Sequence, residues 1–404
     1  MHTIFTLNNG IRLLHIKDNS PVVYCGFTIN AGTRDEAENE HGIAHFIEHL
    51  LFKGTKKRKS LQIINRLEEI GGELDAFTTK EETVIYAACP EKYAERAMEL
   101  LADVVFFSTF PKTEILKERA VIEDEIQSYN DSPSELIYDD FEELVFQNSA
   151  LGHNILGDKK SLKKFDTKSF QSFVKRCYTT DNLLFFLQGN VDFDKFIKLS
   201  EKYFSVPASK REFERTSPKD YVPQVIEKSK KTFQVHCLLG NTAYSFGHKD
   251  RLAQALLNNI VGGPMLSSRL NIAVRERNGL AYSIDSSLTP YIDTGIWNIY
   301  FGCDKSNFNK CISLIYSELD KLREKPLTSA QLEKAKRQFA GQLLISSQNS
   351  ENRALAAAKS ALHLNCFETE QEILARLNQI SAPELFDIAQ KMFDIEKFTV
   401  LKYV

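Results

Sequence analysis

The residues with the clearest chemical potential are His45-Phe46-Ile47-Glu48-His49. Imidazoles at i and i+4 of a helix stand one turn apart and can converge on a single metal ion. On a 3.6-residue period, Ile43, Phe46, Ile47 and Leu50 share one side of such a helix, and His45, Glu48, His49 and Phe52 share the other. Glu48 lies beside the two imidazoles, placed to hold a metal-bound water rather than the metal. With nine histidines in 404 residues, this pattern should arise by chance about 0.02 times. A solvated helix face is usually filled with Lys and Glu; this one holds two His, one Glu and a Phe.

Two imidazoles do not complete a catalytic metal site, which typically has three protein ligands. A third comes into reach on a helix expected near 113–129. Glu118 and Glu125, seven residues apart, share a face there with Val121 and Ile122 between them and Ile115 and Ile126 alongside. Carboxylates in an apolar stripe are costly unless paired or metal-bound. Either could be the ligand, with the other orienting a histidine; a partly buried ion-paired couple is the plainer alternative. Glu123 and Asp124 point away.

These helices need a scaffold. β-rich runs at 11–16 and 21–29 precede a helix at about 41–53, ended by Gly54, and another at 60–70, stopped by Gly71-Gly72. Residues 73–89 read as strand, and helices return near 91–106. The second half repeats the mixture: strand at 232–239, helix near 249–260, strands from 281 to 302, helices near 305–323 and 328–348. Between the halves, the proline-containing, charged stretch 205–224 reads as a connector. The expected division is therefore 1–210, a linker at 211–224, and 225–404. Hairpin-like strands with helices in blocks favour an α+β fold of two similar domains, each a largely antiparallel sheet packed with helices, and suggest an old duplication.

Composition limits the function further. Hydrophobic residues at 43% and charged residues at 26% describe a globular chain, and a net charge of −3 gives no electrostatic case for nucleic acid. No run approaches the ~20 apolar residues of a membrane span, and the first 20 residues lack a signal-peptide core. Seven scattered cysteines without a C-x-x-C pair suit free thiols in a reducing compartment. These features lead us to expect a cytoplasmic protein.

Several stretches, in order, resemble the pitrilysin / mitochondrial processing peptidase family of zinc peptidases, whose inverted metal motif is H-x-x-E-H. Residues 42–55 (GIAHFIEHLLFKGT) are similar to its metal-binding helix, residues 71–79 (GGELDAFTT) with Glu81 and Tyr86 to its substrate-binding edge strand, Glu118 through Glu125 to its second metal-site helix, and residues 151–157 to a further family loop. Asp75 stands where the family usually has Asn, a departure that affects local hydrogen bonding. The resemblance covers essentially the whole chain. It implies one zinc ion per chain held by His45, His49 and Glu125, with Glu118 as the outer acid and Glu48 as general base. It implies a peptide substrate extended along Leu74, Asp75, Ala76, Phe77 and Thr78. In the second half, the spacing of Arg275 and Tyr282 resembles the Arg/Tyr pair that the family presents to the zinc site: Arg275 to bind a substrate carbonyl, Tyr282 to stabilise the oxyanion. Without the family, Arg275 reads as part of a surface ion pair. Chains of this length resemble half of the longer members, which implies a two-chain shell around a chamber, most simply a homodimer. The contrasting expectation is a non-catalytic subunit that retains a metal site; a closed structural zinc site fits poorly, since such sites use four protein ligands.

Overall fold

The computed structural model describes residues 2–219, 221–230 and 232–404. The chain forms two compact units, and neither is contiguous in sequence. The first comprises Met1–Gln127, His153–Arg215 and Ser346–Glu368; the second comprises Ser128–Gly152, Thr216–Ile345 and Thr369–Val404.

The first unit is built on six strands: β1 (His2–Thr6), β2 (Arg12–Lys17), β3 (Val22–Ile29), β4 (Glu73–Thr78), β5 (Thr83–Pro90) and β6 (Leu183–Gly189), in the order β1-β2-β6-β3-β5-β4. All pairs are antiparallel except β2–β6. The second unit has β7 (Val225–Lys228), β8 (Val235–Thr242), β9 (Ala281–Pro290), β10 (Gly295–Cys303) and β11 (Thr399–Tyr403), in the order β7-β11-β8-β10-β9, antiparallel except β7–β11. Reading β2, β6, β3, β5 and β4 against β7, β11, β8, β10 and β9 gives the same topology strand for strand. The two sheets thus share the α+β plan, and β1 is an addition to the first.

Each sheet is covered on a second face by a helix that arrives from the other half of the chain. Helix Ser350–Leu364 lies on the first sheet, where Ala354, Ala357, Ala358 and Ala361 meet Leu14, Val84, Leu184 and Phe186. Alanines at i, i+3, i+4 and i+7 form one stripe with almost no side-chain bulk, so the helix sits close against the strands. Helix Pro133–Val145 presents Ile137, Phe141 and Val145 to Leu238, Tyr300, Leu401 and Tyr403 of the second sheet. With both faces covered, the central strand β6 (LLFFLQG) is buried at every residue. The other face of the first sheet carries the main core, with Phe27, Phe46, Phe170 and Phe185.

This exchange corrects the expected contiguous halves. The boundary near 210–224 corresponds to one crossing between units, but 128–152 and 346–368 cross as well. The residues 211–215 are also not loose linker. Arg211 and Arg215 both pair with the buried carboxylate of Asp35, at 2.5 and 2.7 Å, and hold this stretch in the first unit. Asp220, within the expected linker, lies outside the described residues.

Candidate metal centre and active site

The chain leaves β3, runs through residues 30–42 and enters the metal helix Ile43–Leu51. Gly42 takes a positive φ of 90° at its start, and a Cβ there would lie 2.7 Å from the Leu156 carbonyl oxygen, so only glycine fits. Ile43, Phe46, Ile47 and Leu50 are fully buried, as the helical period predicts. His45 on the other side is buried too, while Glu48 and His49 are half-buried. The polar side of this helix therefore faces protein.

The facing element is helix Lys112–Asn130. Ile115, Glu118 and Ile122 are buried on it, but Val121 is exposed, so the apolar stripe is narrower than the sequence suggests. Glu125 Oε2 lies 3.8 Å from His45 Nε2 and 3.7 Å from His49 Nε2. These separations are too long for hydrogen bonds. Donors ~2.0–2.2 Å from one tetrahedral zinc would stand roughly 3.3–3.6 Å apart, so a small adjustment closes the set. Among the described residues, His45, His49 and Glu125 form the one group of three or more such side chains that could hold a metal ion, with ligand atoms within 4.8 Å of one another. Burial, aided by His49, pushes His45 down to about 3, so its imidazole is neutral and its lone pair available.

Glu118 takes a different part. Its Oε2 is 3.3 Å from His49 Nδ1, and its Oε1 is 2.8 Å from Lys53 Nζ. A proton on Nδ1 donated to this carboxylate leaves the Nε2 lone pair toward Glu125. Lys53, just past the C-cap Phe52 of the metal helix, compensates the buried acid. The sequence reading does not mark it, because Lys53 lies beyond the end of the helix and meets Glu118 only through tertiary geometry. A second residue missed by that reading is Glu36, whose buried carboxylate accepts the Gly42 and Ala44 amides at 3.0 Å each. In sequence it belongs to an acidic run that looks solvated, and no spacing signal marks it.

Glu48 has its Oε2 buried without a hydrogen-bond partner. Burial foremost, with Glu125 and Asp75, raises its pKa; Thr78 and His49 pull the other way. A carboxyl moved upward in this way is better suited to exchange protons near neutral pH.

The expected substrate strand is β4, at the edge of the first sheet. Its register pairs Leu74 with Ala87, Asp75 with Tyr86, Ala76 with Ile85, Phe77 with Val84 and Thr78 with Thr83. Leu74 and Ala76 pack partly into the core, and Asp75 is exposed. The Asp75 carboxylate accepts the Ala76 amide at 2.8 Å and the Tyr86 hydroxyl at 3.3 Å.

Arg275 and Tyr282 belong to the second unit. Arg275 sits on a π-helical turn, Asn271–Glu276, with Nε 3.9 Å from Glu276 Oε1. Tyr282, on β9, is 82% exposed. The helix that follows β8, as the metal helix follows β3, is Arg251–Gly262; it carries Gln254, Asn258 and Asn259 and no histidine or carboxylate pair. The duplicated plan therefore bears metal-binding chemistry in one unit.

An H-x-x-E-H helix, an opposed carboxylate helix and a duplicated α+β plan define the chain as a protein of the zinc-protease type. Comparison with known proteins agrees. The family model described as "Insulinase (Peptidase family M16)" matches residues 12–159, and "Peptidase M16 inactive domain" matches 164–339. An uncharacterized zinc protease, YmxG, of Bacillus subtilis is 33% identical over 392 residues, spanning 96% of this chain and 95% of its own. The beta subunit of the mitochondrial-processing peptidase of Bos taurus is 29% identical over 396 residues, 95% of this chain and 80% of its own. A protease from Helicobacter pylori has the same fold, with a TM-score of 0.91 at 22% identity over 100% of this chain and 99% of its own. The chain belongs to peptidase family M16.

Proposed function

We propose that the protein is a zinc endopeptidase or oligopeptidase acting on short or unfolded peptides. The observation that carries this reading is the approach of Glu125 Oε2 to both histidine Nε2 atoms, beside a half-buried Glu48. His45, His49 and Glu125 would hold the zinc, and the donor set of two imidazoles and one carboxylate suits that metal. When bound, zinc supplies a Lewis acid that makes water a nucleophile near neutral pH. Glu48 takes the proton from the attacking water and passes it to the leaving amine. The peptide adds to the free edge of β4 from Leu74 to Thr78, so its main chain supplies much of the binding and varied sequences are tolerated. Arg275 binds a substrate carbonyl, and Tyr282 donates to the charge developing on the scissile carbonyl oxygen. In this proposal a second copy of the chain supplies that pair, and the homodimer encloses the reaction in a chamber. A cytoplasmic setting suits the seven free cysteines, six of them buried, and no helix among the described residues is long and apolar enough to cross a membrane.

The test is a quenched-fluorescent peptide assay of Glu48→Gln beside the wild type. The variant should keep its zinc and lose at least a hundredfold in kcat, the scale of general-base catalysis. An unchanged rate would move the chemistry elsewhere.

A further inference from the structure

The metal helix begins without a cap of its own. Its N-cap residue is Gly42, which has no side chain to offer, yet His45 lies in the first turn, where unpaired amides make a helix prone to fray. The amides of Gly42, Ile43 and Ala44 are satisfied from outside. Glu36 Oε2 accepts from Gly42 N and Glu36 Oε1 from Ala44 N, both at 3.0 Å, while Ile43 N donates to the Glu40 carbonyl at 2.9 Å. Glu36 is itself 8% exposed. Burial pushes the Glu36 carboxyl well above its usual range, and the two amides it accepts at the positive end of the helix offset this only in part.

What fixes Glu36 is the turn that precedes it. Thr33 N and Arg34 N donate to the Thr79 and Lys80 carbonyls at 3.2 and 2.8 Å, and Arg34 Nη1 donates to Glu81 Oε1 at 2.6 Å. The neighbour of Glu36, Asp35, accepts from Arg211 Nη2 at 2.5 Å and from Arg215 Nε and Nη2 at 3.0 and 2.7 Å. Arg215 Nη2 also donates to the Glu81 carbonyl at 2.7 Å. Arg215 is the last residue of its segment of the first unit.

We propose that Glu36 is a positioning residue of the metal centre, and that Arg215 acts on the same centre through Asp35. Glu36 holds the first turn of the metal helix in the geometry that brings His45 to Glu125, and Arg215 holds the turn that carries Glu36. This rests on the metal site proposed above and adds two residues that touch no metal ligand in the structure.

The test uses the full-length chain and two readouts. Zinc affinity is measured by chelator competition. Hydrogen exchange of the peptide spanning 41–52 is followed by mass spectrometry on metal-free protein. Glu36→Gln places an amide NH2 against the Gly42 N–H; it should weaken zinc by roughly tenfold, the scale of losing a helix N-terminal cap, and speed exchange in 41–52 alone. Arg215→Ala should move both readouts the same way by a smaller factor. Glu95→Gln, which breaks an exposed pair with Lys202 away from this turn, should stay within twofold. Zinc affinity of Glu36→Gln within twofold of wild type would overturn the proposal. So would exchange that rises equally across the chain, which is the mark of a general loss of stability. If the wild type bound no zinc, the peptidase reading would fail, and the exchange readout would still decide whether Glu36 and Arg215 secure the helix.

Discussion

Glu118 and Glu125 lie on one side of the same helix, seven residues apart, yet they meet His49 at different nitrogens. Glu125 Oε2 is 3.7 Å from Nε2, and Glu118 Oε2 is 3.3 Å from Nδ1. The helical period could not separate these roles, because it gives both acids the same direction. The distinction depends on how far each turn of one helix stands from the other, which is tertiary geometry. The pair of histidines and Glu48, by contrast, were legible at once, since their spacing within one helix is local. Glu118→Gln should keep the hydrogen bond to His49 but lose its charge and its pairing with Lys53. Zinc affinity should drop by roughly 10- to 100-fold, with far less change in KM for a peptide at saturating zinc. Isothermal titration of metal-free protein measures it; a variant equal to wild type would show that Glu118 does not orient His49.

Helix Ser350–Leu364 illustrates what an element's sequence does and does not disclose. Its alanine stripe marks a helix face made for close packing, but nothing in it names the sheet it covers, more than 160 residues earlier in sequence at its closest strand. The contact is also polar. His363 Nε2 and Lys359 Nζ reach the buried Glu82 carboxylate at 2.7 and 2.8 Å. Burial pushes Glu82 up, but His363 and Lys359 together outweigh it, and the net pKa is lowered. A carboxyl depressed on folding adds stability that is present above its unfolded pKa of about 4.3 and is lost as pH falls through its folded value. The melting temperature should therefore drop on acidification below about pH 5, and Glu82→Gln should flatten that slope while lowering stability at neutral pH. Parallel slopes for the two proteins in thermal scans from pH 6 to 3.5 would remove Glu82 from the account.

For the whole molecule, the duplicated topology was suspected from the repeated order of elements, and the strand-for-strand correspondence of the two sheets makes it plain. The crossing segments were not legible, because a division drawn from proline and charge marks where the chain is polar and not which sheet a later helix will cover. A chain cut after Arg215 lacks residues 346–368 and bares Leu14, Val84, Leu184 and Phe186 of the first unit. It should bind a hydrophobic dye and melt without cooperativity, and a peptide of 346–368 added in trans should restore a cooperative transition; a sharp transition in the cut chain alone would contradict the packing described here. The proposed peptidase chemistry depends on one ion gripped by His45, His49 and Glu125, and metal analysis of purified protein dialysed against limiting zinc tests this most directly. It predicts one zinc per chain in the wild type and loss of nearly all of it in both His49→Ala and Glu125→Gln. A wild type without zinc, or a Glu125→Gln variant that holds zinc as tightly as the wild type, would contradict it.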